Sequence, residues 1–140
     1  MKKIAVLLFM TLVMSSFKTS HKVDEYSIVG KWSGLDENNE NGTFVFDADG
    51  YATMIKNGQS MGGKEFEMKG IKASMKYKID KSSNPIKFDI IVLALKSKEV
   101  KSMKMLLKFI DNNTIKLASD FNETRPLSFT KANSILLKRE

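Results

Sequence analysis

Polar and apolar residues alternate with a period of two along most of the chain, the pattern that marks a half-buried β-strand. In "KASMKYKID" Ala73, Met75, Tyr77 and Ile79 share one side, and Lys72, Ser74, Lys76 and Lys78 share the other. A strand so built has one dry and one wet face. "PIKFDIIVLAL" places Ile86, Phe88, Ile90, Val92 and Ala94 together, while Ile91, Leu93 and Leu95 make its far half apolar on both sides. "SMKMLLKFID" repeats the alternation through Met103, Met105, Leu107 and Phe109. On this basis strands are expected over 27–35, 42–47, 50–57, 65–70, 72–80, 85–96, 101–110, 114–120, 127–131 and 134–138, some of them bent pieces of one strand. The one helical element considered is a short turn before Ile28.

Turn residues separate these runs. "DADG", Asp47 to Gly50, offers a residue tolerant of positive φ between "TFVF" and "YATMI", and "DNN", Asp111 to Asn113, joins "LLKFI" to "TIKLAS"; both read as hairpins. "KSSNP" and "NETRP" each set a proline ahead of a new strand, where its missing N–H does least harm. "NGQSMGG", Asn57 to Gly63, reads as a flexible loop. Met54, Met61, Met68 and Met75 recur every seven residues, but Gly58, Gly62, Gly63 and Gly70 lie between them, and glycine costs about 1 kcal/mol inside a helix. Sequential antiparallel strands without helices demand a sandwich or a closed barrel. Links of hairpin length favour the barrel, because Greek-key sandwiches need longer crossings. The expected fold is an all-β, antiparallel up-and-down barrel of about eight to ten strands.

The first residues depart from this pattern. Lys2 and Lys3 precede an apolar run from Ile4 to Met14 and then small polar residues, the layout of a secretory signal peptide. The run is too short for a permanent membrane anchor, which takes about 20 apolar residues. We expect a leader over 1–20, cut between 16 and 20, ahead of one domain over 21–140 that is exported to the periplasm or secreted. Cysteine is absent, so neither a lipid-anchored thiol nor a disulfide is available. Loss of Lys2, Lys3 and Lys18 with the leader lowers the net charge from +7 to +4. The lysines are spread along the chain without a dense block, so nucleic acid is not an expected partner.

Candidate chemistry is sparse, and no enzyme is expected. His21, the single histidine, falls at the expected mature N-terminus, so no Ser-His-Asp set and no zinc site can be assembled around it. "DENNENGTFVFD" sets Asp36, Asn38, Glu40 and Asp47 at calcium-loop spacing. Its glycine comes one place late, its last ligand is Asp, and a strand follows where a helix belongs, so it reads as an acidic loop. Asp80 and Asp89 flank a proline turn without an apolar setting to raise a carboxylate pKa, and Asp89 reads as a structural hydrogen-bonding group at the barrel mouth. Met54, Met75, Met103 and Met105 suit a pliable apolar lining better than a thioether copper site. No cofactor or metal is expected.

One set of motifs resembles a known family. Gly30-Lys31-Trp32 is similar to the Gly-x-Trp signature on the first strand of lipocalins and related calycin barrels. "FVFDADG", "NPIKFD", "RPLSF" and "ILLKRE" follow in the order seen in small secreted bacterial lipocalin-like proteins. The resemblance implies that Trp32, the only tryptophan, closes one barrel end beneath a basic residue of the last strand. There are two arginines, Arg125 and Arg139; Arg139 lies in that strand and is the favoured partner, and Gly30, Trp32 and Arg139 form the expected closure. An arginine stacks on an indole where a lysine serves only solubility. A small apolar or amphipathic ligand is then expected inside the barrel against Phe44, Phe46, Met54, Met75, Tyr77, Phe88, Met103 and Met105. The alternative function is a scaffold with a solid core whose loops 36–42 and 57–64 grip an envelope protein, as an inhibitor does.

Overall fold

The computed structural model describes residues 26–35, 39–120 and 122–140. The expected leader over 1–20, His21, and Asp36 and Asn38 lie outside the described residues. Nine strands follow in order: β1 (Gly30–Leu35), β2 (Asn41–Phe46), β3 (Ala52–Lys56), β4 (Gln59–Met68), β5 (Ile71–Asp80), β6 (Ile86–Ala94), β7 (Val100–Asp111), β8 (Thr114–Ser119) and β9 (Ser134–Arg139). Each strand pairs with the next, and β9 returns to β1 through Trp32↔Arg139 and Ser33↔Lys138, closing an antiparallel barrel. No described residue before Ile28 is helical.

Antiparallel neighbours alternate in direction, so a ring of nine antiparallel pairings can close only if one strand reverses along the barrel axis. β4 is that strand. Its first half pairs with β3 as far as Thr53↔Gly62, and its second half pairs with β5 from Gly63↔Met75 onward, with a bulge between Gly63 and Phe66. Gly62 (φ 133°) and Gly63 (φ 82°) make the corner. A Cβ on Gly62 would sit 2.3 Å from the Ala52 carbonyl oxygen, a backbone approach that only glycine permits. Beyond the corner β3 meets β5 directly, through the Tyr51↔Lys76 bridge and a hydrogen bond of 3.0 Å from the Tyr77 N–H to the Gly50 carbonyl. The stretch 57–63 is therefore no loop. Only Asn57 (φ 53°) and Gly58 (φ 76°) turn, and the glycines after them bend a strand.

The segment 127–131 also differs from expectation, for it forms no strand. β8 already has β7 and β9 on its two edges, which leaves no edge for another partner. Residues 120–133 instead make a long connection in which Pro126 is buried and Leu127 is 96 % exposed. Asn133 ties it down, accepting from the Thr130 N–H at 2.8 Å and donating to the Ser128 carbonyl at 2.9 Å. The turn at 47–51 is set by Asp47, whose Oδ1 accepts from the Asp49 and Tyr51 N–H groups at 3.0 and 2.9 Å.

Strand directions place the turns 47–51, 81–85 and 112–113 at one end with residues 26–29, and the turns 57–58, 69–70 and 95–99 at the other with the 120–133 connection. We call these the sealed end and the mouth. The inward residues of β5 to β8, among them Met75, Phe88, Ile90, Met105, Leu107, Ile115 and Leu117, join Trp32, Phe46 and Leu137 in one core.

Candidate functional site

The sealed end is built from Gly30, Trp32 and Arg139. Trp32 is fully buried, and its indole N–H donates to the Ile28 carbonyl at 2.8 Å. The Arg139 guanidinium carbon stands 4.2 Å from the centre of the Trp32 ring. Its nitrogens reach three main-chain carbonyls, with Nη1 donating to Val29 at 2.7 Å and Nη2 to Ser27 at 2.9 Å and to Asn112 at 3.0 Å. One planar cation thus satisfies the chain entering β1 and the turn between β7 and β8, a fork that lysine cannot reproduce. Gly30, at φ 141°, makes room: a Cβ there would lie 2.5 Å from Arg139 Nη1. Tyr26 and Phe109 pack at 5.6 Å between ring centres, with Lys81 over Phe109 and its ammonium donating to the Tyr26 carbonyl.

Arg125 does other work. It forms an ion pair with Asp89 Oδ1 at 2.8 Å. It also donates from Nη1 to the Met105 carbonyl at 2.7 Å. Phe88 and Ile90 point inward, so Asp89 faces out beside Lys78 and Lys104 in register. Asp80 pairs in register with Lys87 on the same outer face, and its carboxylate accepts from the Ser82 hydroxyl and N–H. Those bonds hold its pKa below the ordinary carboxylate range, with Lys87 and Lys78 adding to the effect. Neither acid lines the interior, so the pair has no cleft in which to share a substrate. Of the acidic-loop residues, Glu40 pairs with Lys56 at 3.1 Å and Asp47 is committed to its turn. No cluster of three or more His, Asp or Glu side chains suited to a metal occurs among the described residues.

The eight residues expected to line a cavity separate into two groups. Phe46, Tyr77 and Phe88 fill the barrel, their ring centres 5.1, 5.2 and 6.0 Å apart. Phe46 and Phe88 are fully buried. The Tyr77 hydroxyl donates to the Asp47 carbonyl at 2.7 Å. Burial raises the Tyr77 pKa, and the nearby Asp47 charge raises it further. Met105 is buried in the same core. These four pack together in the core, with Phe46, Phe88 and Met105 buried and Tyr77 partly buried against them.

The other four residues line open space toward the mouth. Met54, Met75 and Met103 surround a cavity of about 260 Å³ with Ile90 and Val92, and Asn122 and Glu123 stand at its rim. Phe44 and Met54 line a second cavity of about 230 Å³ with Ile135 and Leu137. A third, of about 260 Å³, lies against Ala73, Val92 and Ala94 and ends at Met68 and Ile71. Val92 and Lys101 border both the first and the third, so the two are neighbours. Sequence reading did not single out Lys101, although it shares the parity of Met103, Met105 and Leu107 and so stands on the inward face of β7. A depression of about 800 Å³ beside Lys116, Lys131 and Lys138 is an outer groove. Comparison of the chain with protein-family profiles, with curated proteins and with solved structures finds no match.

Proposed function

We propose that the protein is an exported, non-enzymatic carrier that binds a small apolar or amphipathic molecule at the mouth of its barrel. The lipocalin-like motifs of the chain point the same way. The observation that carries the reading is the cavity walled by Met54, Met75, Ile90, Val92 and Met103. Ligand sites are concave and mainly apolar, with a few polar groups at the edge. Methionine walls re-form around ligands of different shape because the side chain is unbranched and polarisable. Affinity then comes from apolar surface removed from water, about 25 cal/mol per Å² before the costs of ordering.

Native mass spectrometry of the purified protein, with extraction of what copurifies, identifies the ligand. Titration with dansyl-undecanoic acid then locates it. Met75→Trp and Met103→Trp fill the cavity and are expected to weaken the probe more than about tenfold, whereas Leu127→Ser, on the exposed connection, leaves it unchanged. A probe that does not bind, or that binds the two filled variants as it binds the parent, refutes the reading.

A further inference from the structure

We propose that the mouth of the barrel docks on an anionic lipid bilayer through the tips of two neighbouring hairpins. The reading goes beyond ligand binding and stands without it. The first tip joins β4 to β5 through Lys69 (φ 51°) and Gly70 (φ 79°). The second joins β6 to β7 over 95–99. A hydrogen bond of 2.9 Å from the Leu95 N–H to the Lys72 carbonyl holds the two side by side, and the Ala94 N–H closes the second on the Glu99 carbonyl at 2.9 Å. The tips are thus rigid and adjacent.

Their side chains alternate in a way that neither a core nor an ordinary solvated face requires. Met68 is 43 % exposed, Ile71 56 % and Val100 54 %. Lys69, Lys96 and Lys98 stand on the two turns, and Lys72 follows the first of them in β5. The nearby acids are Glu65, Glu67 and Glu99, and Glu65 is engaged with Lys72 at 3.6 Å. Apolar groups that can enter the acyl boundary, ringed by lysines that reach phosphates, form the signature of an interfacial anchor. Each lysine near an anionic leaflet strengthens attachment, and the attraction fades within a Debye length. On the tips themselves Lys69, Lys96 and Lys98 outnumber Glu99, a positive bias that suits an anionic surface. Met68 and Ile71 also border the cavity that lies against Ala73, Val92 and Ala94.

Vesicle flotation tests the proposal. The purified protein is expected to partition onto phosphatidylcholine vesicles containing about a third phosphatidylglycerol at least tenfold more strongly than onto phosphatidylcholine alone. Combining Ile71→Asp with Val100→Asp lowers that partition more than about tenfold. Combining Lys69→Gln, Lys96→Gln and Lys98→Gln lowers it roughly a hundredfold. Lys87→Gln with Lys108→Gln, on the outer face away from the tips, changes it less than about threefold. All variants share whatever precedes Tyr26, so differences among them report the tips alone. Should the aspartate variant fail to fold, judged by the Trp32 fluorescence transition, the glutamine variant decides the matter. The proposal falls if anionic vesicles do not bind the parent, or if the Lys87/Lys108 variant loses as much as the tip variants. It falls too if soluble polyphosphate is bound as tightly as the vesicles and without dependence on Ile71 and Val100, for charge alone would then account for the binding.

Discussion

The corner in β4 can be broken by one methyl group, and the structure sets the size of the effect. Gly62 has φ 133°, and a Cβ on it would stand 2.3 Å from the Ala52 oxygen and 2.7 Å from Thr53 Cα. Neither neighbour is the free end of a side chain, so relief requires β3 and β4 to separate where Thr53 and Gly62 pair. The φ region alone costs about 1–3 kcal/mol for a residue with a side chain, and weakening one ladder hydrogen bond adds about 1 kcal/mol. Gly62→Ala is expected to destabilise the protein by about 3 kcal/mol, a severe loss against a total of about 5–15 kcal/mol. Two glycines calibrate the series. At Gly58 a Cβ meets nothing within 4 Å but φ is 76°, so Gly58→Ala should cost about 1 kcal/mol. At Gly42 nothing lies within 4 Å and φ is ordinary, so Gly42→Ala should stay within about 0.5 kcal/mol of the parent. Urea unfolding followed by the fluorescence of Trp32, the sole tryptophan, measures all three. A Gly62→Ala midpoint equal to that of Gly42→Ala would refute the claim that close backbone contact at the corner is what closes the barrel.

Two further perturbations probe the sealed end and the aromatic filling. Trp32→Ala should cost about 3–5 kcal/mol for a buried indole, and Arg139→Lys about 1–2 kcal/mol because it forfeits the stack and the fork; thermal unfolding checks both, and a parental midpoint in either sinks the closure as described. The raised Tyr77 pKa means that the folded state favours the neutral phenol. The associated stability is complete below the ordinary tyrosine value near 10.0 and is lost as pH rises through the higher folded pKa. Ultraviolet difference titration should show one tyrosine that ionises late in the parent and is missing in Tyr77→Phe.

How much of this was legible in the sequence depends on what each residue answers to. Alternation in β5, β6 and β7 is a local response to one wet and one dry side, so those strands are readable within a residue or two. Asp47 and Gly50 report a turn through hydrogen bonds inside five residues of chain. The Trp32–Arg139 contact is readable because a closed barrel must bring its last strand to its first, and Arg139 is the arginine there. Gly62 and Gly63 misled because glycine marks a loop and a strand corner equally well, and the difference lies in Ala52, which is close only after folding. The stretch 127–131 has strand composition but no free edge to join. Phe46, Tyr77 and Phe88 carry the correct parity for the interior, yet parity cannot separate a ring that fills the barrel from a methionine that borders a cavity. The lysines read as scattered for a similar reason. Lys69 belongs to one turn and Lys96 and Lys98 to another, and only the adjacency of β5 and β6 gathers them.

The two ends of the barrel differ in the forces that shape them, and that difference argues for where function sits. At the sealed end a guanidinium fork, a buried indole and an ion pair of 3.1 Å between Lys31 and Glu140 fix the chain through directional contacts. At the mouth the walls are methionine and aliphatic side chains, which resist compression but specify no single arrangement. A packed interior loses stability when left open, and the tight filling by Phe46, Tyr77 and Phe88 shows that this chain can occupy the same barrel with large rings. Methionines beside open space at Met54, Met75 and Met103 are therefore a cost that packing alone does not explain. The Arg125 link to Asp89 and to the Met105 carbonyl holds the 120–133 connection on β6 and β7, and so keeps Asn122 and Glu123 at the cavity rim. Cutting that link with Arg125→Ala would loosen the rim while leaving the sealed end intact. Opening at the mouth and global unfolding thus become separable events, as the proposed carrier role requires.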